Sequence, residues 1–211
     1  MKTPTLRRFF GLVALLIPAC FVVWHALGSV IAAPVVWLAG EILIAWLPAL
    51  VSEVTLDGTA MFVTSAVGEL NGEIVSAEDA GGPLAFRLDT RILTYSIPFY
   101  AALHFATPMP GTIERFARGL LILWLLVVVG LVFTVLKDLM LTLGPSFHDL
   151  AAVPPTAAIA LLYQFSVLMV PPVAPVLLWA FEARTTGLFP QLLVQAQPAE
   201  ADRAQPESPE G

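Results

Sequence analysis

Long apolar runs and one polar interval alternate along this chain. The first run covers residues 9–50; at about 1.5 Å per residue, a helix of that length would measure roughly 60 Å, twice a bilayer core. The run must therefore turn. We expect the turn at Ala33-Pro34, because proline favours the first turn of a helix and disfavours helix in the residue before it. Residues 1–33 then form a short N-terminus and a first membrane span, and residues 34–50 form a second helix.

The polar interval, residues 51–91, is called the strand unit below. It carries the alternation of β-strands in VTLDGTAMFVTS and again in LAFRLDTRILTY. An Asp-Gly and an Asn-Gly pair favour tight turns between its short strands. Residues 84–92 alternate in a way that is typical of a sheet with one apolar face. Such a small sheet is only marginally stable alone, so we expect that face to rest on the helix of residues 34–50 or on the membrane surface.

Three further spans are predicted within residues 92–184. Residues 92–109 have no charged side chain and are just long enough to cross a bilayer. Residues 119–136 form the clearest span, and residues 157–181 form the last one. The prolines of that last span remove backbone donors and should kink or break its helix; they are Pro171, Pro172 and Pro175. We expect residues 185–211, which are polar and rich in proline, to be a disordered acidic tail.

Composition agrees with a membrane protein and excludes several other classes. The chain has 211 residues, of which 58% are hydrophobic and 12% are charged, and its mean hydropathy is +0.84. These values lie outside the range of soluble globular proteins. No basic patch suggests nucleic acid, and the single cysteine, Cys20, excludes an intrachain disulfide. We therefore predict an α-helical integral membrane protein with about four transmembrane helices, an interfacial helix and a small extracytoplasmic β unit.

Charge indicates how the chain is oriented. If residues 34–50 lie flat on the membrane, six basic residues all fall inside: Lys2, Arg7, Arg8, Arg115, Arg118 and Arg184. If residues 34–50 cross, Arg115 and Arg118 fall outside. The positive-inside rule favours the flat position, and Trp37 and Trp46 suit an interface. The strand unit has a net charge of −5 (2 minus 7) and is then periplasmic, with both termini cytoplasmic. A cleaved signal peptide is the alternative for the first span, although its apolar stretch is long enough to cross the membrane.

Polar groups in or beside the apolar segments are the natural candidates for chemistry, because their burial is costly without a partner. They are His25, Glu41, His104, Lys137, Asp138, Tyr163 and Gln164. The two histidines can form a proton relay or bind a metal, but no third ligand has recognisable spacing, and structural hydrogen bonds explain them more simply. Glu41 can face water from a flat helix. Lys137-Asp138 is typical of a span terminus whose lysine reaches water.

Tyr163-Gln164, followed by prolines, is the most unusual of these patterns. Its donors and acceptors, with carbonyls freed by Pro171 and Pro172, can line a groove for a substrate or partner; hydrogen bonding between helices is the simpler interpretation. The sequence contains no G-x-S-x-G setting, no Gly-rich phosphate loop and no H-E-x-x-H motif. We expect neither a cofactor nor a metal site.

Three segments together resemble the exosortase H-associated membrane proteins of Gram-negative bacteria. The segments are LDTRILTYSIPFYAALHFATP, GLLILWLLVVVGLVFTVLKDL and LLYQFSVLMVPPVAPVLLW. The most specific pieces are Tyr95 with Pro98, Lys137-Asp138-Leu139, and Tyr163-Gln164-Phe165 with Pro171. The resemblance covers roughly residues 7–184. It implies a setting beside exosortase H, a multi-span cysteine enzyme, similar to transpeptidases, that acts in the sorting of surface proteins. The resemblance implies no activity for the family itself, so no catalytic residue carries over. The chain differs from the exosortase, because its single cysteine, Cys20, lies inside the first span.

These observations favour a non-enzymatic accessory protein of the inner membrane that assists exosortase-dependent sorting. Its expected partners are membrane lipid and a neighbouring exosortase or its substrates, and no nucleic acid. Candidate partner or helix-packing contacts are Tyr95, Pro98, Lys137, Asp138, Tyr163, Gln164, Pro171 and Pro172. The alternative is a small transporter or an intramembrane enzyme with a site at the proline-broken last helix. An envelope protein that only anchors its strand unit is a third hypothesis.

Overall fold

The computed structural model describes residues 6–184, so the predicted acidic tail lies outside the described residues. The helices are α1 (Leu6–Ala26), α2 (Gly28–Trp46), α3 (Arg91–Thr94), α4 (Ser96–Ala106), α5 (Thr112–Leu143), α6 (Ser146–Leu150), α7 (Thr156–Gln164) and α8 (Val170–Ala183). A π-helical turn, Phe165–Met169, joins α7 to α8. The strands are β1 (Val51–Asp57), β2 (Ala60–Ser65), β3 (Val67–Leu70), β4 (Glu73–Ser76) and β5 (Ala85–Asp89).

Within the described part, four helical segments are long and apolar enough to cross a membrane. They are Arg7–Ala26, Gly28–Trp46, Thr112–Leu143 and Thr156–Ala183. The number agrees with the prediction of about four spans, but one member differs. α2, most of which we predicted as an interfacial helix, has the length and composition of a span, so its position at the membrane surface stays a prediction.

The predicted span over residues 92–109 stays a prediction, because the chain forms two short helices there, α3 and α4. They are separated only by Tyr95, whose φ of −64° and ψ of −14° are also helical. α4 has 11 residues and is therefore about 16 Å long, half the thickness of a bilayer core. It ends at Ala106, followed by Thr107 with an extended backbone at φ −106° and ψ 112°. Pro108 explains this end, since the residue before a proline disfavours helix.

The turn in the first apolar run lies at Leu27, not at Ala33-Pro34. Pro34 lies inside α2. The Leu27 amide donates to the Val23 carbonyl, so helical hydrogen bonding continues from α1 to the turn. The reason is tertiary: α2 begins at Gly28, where an added Cβ would lie only 2.8 Å from the Thr59 side chain of the strand unit. This contact with a segment about thirty residues further along the chain explains why the turn lies at Leu27 and not at the position that Pro34 favours.

The strand unit forms the predicted one-sided sheet. β2 lies between β1 and β5, antiparallel to both, and β3 pairs with β4 in a separate hairpin. Gly58 and Asn71 both have positive φ, which confirms the two predicted tight turns. The buried face rests on α2, as expected: Met61 is fully buried, and an added Cβ at Gly40 would lie 3.0 Å from Val54.

Two apolar cores hold these elements together. One joins α2, the strand unit, α6, α7 and the C-terminal half of α5. The other joins α1, α4, α8 and the N-terminal half of α5. α5 has 32 residues, about 48 Å, and runs through both. The candidate site lies beside the first of these cores.

Candidate functional site

A cavity of about 200 Å³, called the junction cavity below, lies where the strand unit meets the helices. β5, α3, α5, α7 and the π-helical turn all contribute to its wall. Its polar side chains are Arg87, Asp89, Thr134, Lys137, Asp138 and Tyr163. Leu93, Leu131 and Val167 supply apolar surface. The cavity therefore combines two cationic and two anionic side chains with a hydrophobic floor.

α5 provides three of the polar groups from one of its faces. Thr134, Lys137 and Asp138 are spaced three and four residues apart, so they lie on the same side of the helix. The Thr134 hydroxyl donates to the Gly130 carbonyl at 2.7 Å, which satisfies it within its own helix. Lys137 and Asp138 are thus the groups of α5 that remain available to a ligand in the cavity.

Lys137 is held by two neighbours at once. Its Nζ lies 2.5 Å from Asp138 Oδ1 and 4.8 Å from the centre of the Tyr163 ring. A cation over an aromatic ring contributes about 0.5–2 kcal/mol, more as the pair loses water. About a quarter of each charged side chain is exposed, 24% for Lys137 and 26% for Asp138. Three residues that are separate in the sequence therefore form one cluster that solvent can reach.

The prolines of the last predicted span widen its helix instead of breaking it. The Val170 amide donates to the Phe165 carbonyl, five residues back, and Pro171 lies in the first turn of α8, where its missing N–H costs least. The π-helical turn places Val167 in the cavity wall. It also packs closely on α5, because an added Cβ at Gly130 would lie 3.3 Å from Ser166 Cβ. Such turns are rare and recur at functional sites.

The other predicted contact residues lie elsewhere. Gln164 is exposed and does not line the junction cavity. Pro171 is buried and Pro172 is exposed in the first turn of α8. Tyr95 separates α3 from α4, and Pro98 lines an apolar groove beside α1. The structure thus brings together Lys137, Asp138 and Tyr163, but not the full set of eight.

Sequence reasoning missed Arg87 and Asp89. Their alternation with Leu88 predicts the exposed face of a strand, which is correct for β5. The alternation does not show that α5 and α7 lie close to β5, because this contact joins residues that are far apart in the chain. Their charges, within a strand next to a predicted span, were the only available signal.

A second polar cluster ties α4, α5 and α8 together at the far end of α4. His104 is fully buried, with Nδ1 3.0 Å from Glu182 Oε2 and Nε2 2.8 Å from the Thr112 carbonyl. The Tyr100 hydroxyl donates to the same Glu182 oxygen at 2.9 Å, and the Arg115 side chain donates to the Glu182 carbonyl at 3.2 Å. These bonds satisfy buried polar groups and cross-link three helices.

The hydrogen bonds also fix where protons lie in this cluster. Nε2 of His104 must carry a hydrogen, because a backbone carbonyl only accepts. Nδ1 of His104 lies 3.0 Å from a carboxylate oxygen of Glu182. His25 lies at the end of α1 with other neighbours, so the two histidines form no relay. Within residues 6–184, no three His, Cys, Asp or Glu side chains are placed to hold a metal ion.

The family model of the exosortase H-associated membrane proteins matches residues 3–186. The chain belongs to this family. The match includes all the residues of the junction cavity and of the His104–Glu182 cluster, and it confirms the resemblance found in the sequence. No curated protein and no solved structure matches the chain. The biological setting of this exosortase H-associated membrane protein is therefore inferred from its family.

Proposed function

We propose that the chain is a non-enzymatic accessory protein of the inner membrane of Gram-negative bacteria, and that it assists exosortase H in sorting surface proteins. The observation that carries this proposal is membership of a family described by its association with exosortase H. Four helical segments of span length suit a protein that works beside another membrane protein. The strand unit and the junction cavity supply the contacts.

The junction cavity supports a contact with a protein segment. Its apolar floor lies beside charges of both signs, and Lys137 and Asp138 are partly exposed. A polypeptide that leaves a membrane presents apolar and charged side chains next to each other, so it matches such a surface. The exosortase and its substrates are both polypeptides of this kind, and either can be the occupant.

Packing of the strand unit on α2 supports a periplasmic surface position for both. The sheet follows α2 from Gly28, beside Thr59, to Gly40, beside Val54, a distance of about 18 Å along the helix. If α2 crossed the bilayer, it would draw this sheet and its exposed Asp57 into hydrocarbon. Open sheet edges and unpaired carboxylates are not stable there. A flat α2 avoids that cost, and with residues 92–109 as a span it leaves both termini in the cytoplasm.

Two adjacent residues offer a matched test of the contact. Tyr163 lines the cavity, whereas Gln164 is exposed outside it. We expect Tyr163→Leu to reduce co-purification of exosortase H by about fivefold or more, the effect of losing a buried aromatic contact, and Gln164→Leu to leave it unchanged. Equal recovery of exosortase H with both variants and the unchanged chain would contradict a contact at the junction cavity.

The π-helical turn is the one observation that favours a second candidate, a small transporter or an intramembrane enzyme with its site at the last helix. This candidate places Gln164 in the site, with carbonyls freed by Pro171 and Pro172. It therefore predicts that Gln164→Leu abolishes activity even when exosortase H still co-purifies. Retention of surface-protein sorting in the Gln164→Leu variant excludes it.

A further inference from the structure

A polar cavity of about 350 Å³ lies between the α1–α2 junction and the strand unit. We call it the arginine cavity. Its polar side chains are His25, Ser29, Asp57, Thr59, Arg87 and Arg91. Two guanidinium groups and an imidazole face one carboxylate, so this cavity is basic within a strand unit whose net charge is −5 (2 minus 7).

Neither arginine has an anionic partner within residues 6–184. No ion pair of the described part includes Arg87 or Arg91. Nε of Arg91 is buried without a hydrogen-bond partner, and Arg87 lies over the Phe62 ring at 5.9 Å. A buried donor without an acceptor is costly and rare, so the Arg91 side chain is available to an acceptor that a ligand supplies. Planar guanidinium groups match phosphate oxygens especially well.

An apolar groove of about 370 Å³ lies between α1, α4 and α5. Its walls include Cys20 and Trp24 of α1, Pro98 and Ala101 of α4, and Leu120 of α5. Among the residues that line it, none is charged. A groove of this composition on a membrane protein suits a hydrocarbon chain.

The groove and the arginine cavity lie along the same face of α3 and α4. Arg91, Pro98 and Phe105 are seven residues apart, close to two helical turns, so they lie on one side of this segment. Arg91 lines the cavity, and the other two line the groove. The distance from Arg91 to Phe105 is about 21 Å along the helix, enough to reach through one leaflet of a core about 30 Å thick.

The same order holds along α1 as far as the first residue of α2. Cys20 and Trp24 line the groove, and Gly28, four residues further, lines the arginine cavity. Nε1 of Trp24 donates to the Thr94 hydroxyl at 3.3 Å, which joins α1 to α3 at the border between the two sites. Tryptophan is enriched at this level of membrane proteins, where hydrocarbon meets headgroups. Polarity therefore changes from apolar to cationic along one continuous surface.

We propose that the groove and the arginine cavity together bind one anionic glycerophospholipid. Its acyl chain lies in the groove, and its phosphate accepts hydrogen bonds from Arg87 and Arg91. A transmembrane helix of a partner protein fills such a groove but needs an added acidic side chain to pair with the arginines, whereas an anionic phospholipid carries the acyl chain and the phosphate in one molecule. The charge of the arginine cavity therefore favours a lipid as the occupant.

The test counts lipids that stay bound to the purified full chain. The chain is reconstituted in bilayers of equal parts phosphatidylglycerol and phosphatidylcholine, transferred to mild detergent and weighed by native mass spectrometry. We expect one retained phospholipid, with phosphatidylglycerol preferred. The double variant Arg87→Gln/Arg91→Gln should lower that preference about tenfold or more. The matched control Arg7→Gln/Arg8→Gln removes two exposed arginines at the other end of α1 and should leave it unchanged.

Three results would overturn the proposal. They are the absence of a retained phospholipid, equal retention of both lipids, and a preference that survives the Arg87→Gln/Arg91→Gln change. Ala101→Trp fills the groove and should displace both lipids. Its melting temperature shows whether this variant folds. If it does not fold, the comparison of the two double arginine variants still tests the proposal. Lipid retention that survives Ala101→Trp, with loss of a bound protein, would assign the groove to a partner helix. No sorting enzyme is present, so a negative result leaves the accessory function standing.

Discussion

Gly119 allows α5 to pass beside Tyr100. An added Cβ would overlap the Tyr100 hydroxyl and lie 2.8 Å from its Cε1, and Tyr100 is completely buried. We predict that Gly119→Ala lowers the free energy of unfolding by about 1–3 kcal/mol or more, because the tyrosine has no room to move. Gly11→Ala is the matched control: no atom lies within 4 Å of an added Cβ there, so stability should stay the same or rise slightly. Equal thermal melting of the two variants in detergent would contradict this packing.

Glu182 is the acceptor on which the second polar cluster depends. Glu182→Leu leaves the buried His104 N–H and Tyr100 O–H without their shared oxygen. We predict a loss of about 3–5 kcal/mol in the free energy of unfolding, the cost of breaking a buried pair by removing one partner. Glu114→Leu, an exposed glutamate in the first turn of α5, should cost far less. Thermal melting of the two variants side by side measures the difference, and a similar loss in both would show that the cluster is not structural.

The sequence predicted single residues of the candidate site better than it predicted which of them lie together. Lys137, Asp138 and Tyr163 are unusual in the sequence because they are polar groups beside apolar runs. Tyr163 and its neighbour Gln164 differ by about 100° around the helix, and only one of them faces α5. The choice depends on the phase of α7, which ends where the π-helical turn begins. No local pattern encodes that phase, so the sequence predicted both.

The π-helical turn contains one residue more than an α-helical turn would need. We predict that deletion of Leu168, whose side chain is 66% exposed, converts this turn to α-helix and leaves both flanking helices in their original register. The yield of monodisperse protein should then stay close to that of the unchanged chain. Deletion of Val129, inside α5, rotates everything beyond it by about 100° and should abolish folding. Size-exclusion profiles compare the two, and collapse of both would contradict this account of the turn.

Elements with local signals were predicted best. Alternation and the Asp-Gly and Asn-Gly pairs predicted the strands and two of their turns, because both depend on a few neighbouring residues. The α1–α2 junction was predicted at the wrong residue, and the span over residues 92–109 stays a prediction, because the helix there ends at Ala106. In the first case the contact between Gly28 and Thr59 outweighs the preference of Pro34. In the second, Pro108 explains why the helix ends at Ala106, three residues before the predicted end.

The whole molecule has a definite predicted orientation. A reporter inserted at Gly81, in the loop between β4 and β5, should give a periplasmic signal, whereas a reporter placed after Arg184 should give a cytoplasmic one. The reason is that a flat α2 keeps the acidic sheet out of hydrocarbon and leaves the flanking arginines inside. A cytoplasmic signal at Gly81 would mean that α2 crosses the membrane and would reverse the arrangement.

The central claim is that the chain assists exosortase H, and deletion of its gene tests that claim most directly. The measurement is the fraction of sorting substrates that is processed in cells with an intact exosortase H, with and without the chain. We predict that unprocessed substrate accumulates in the deletion strain, and that re-expression of the chain restores processing. Processing at the normal rate and extent in the clean deletion would contradict the claim.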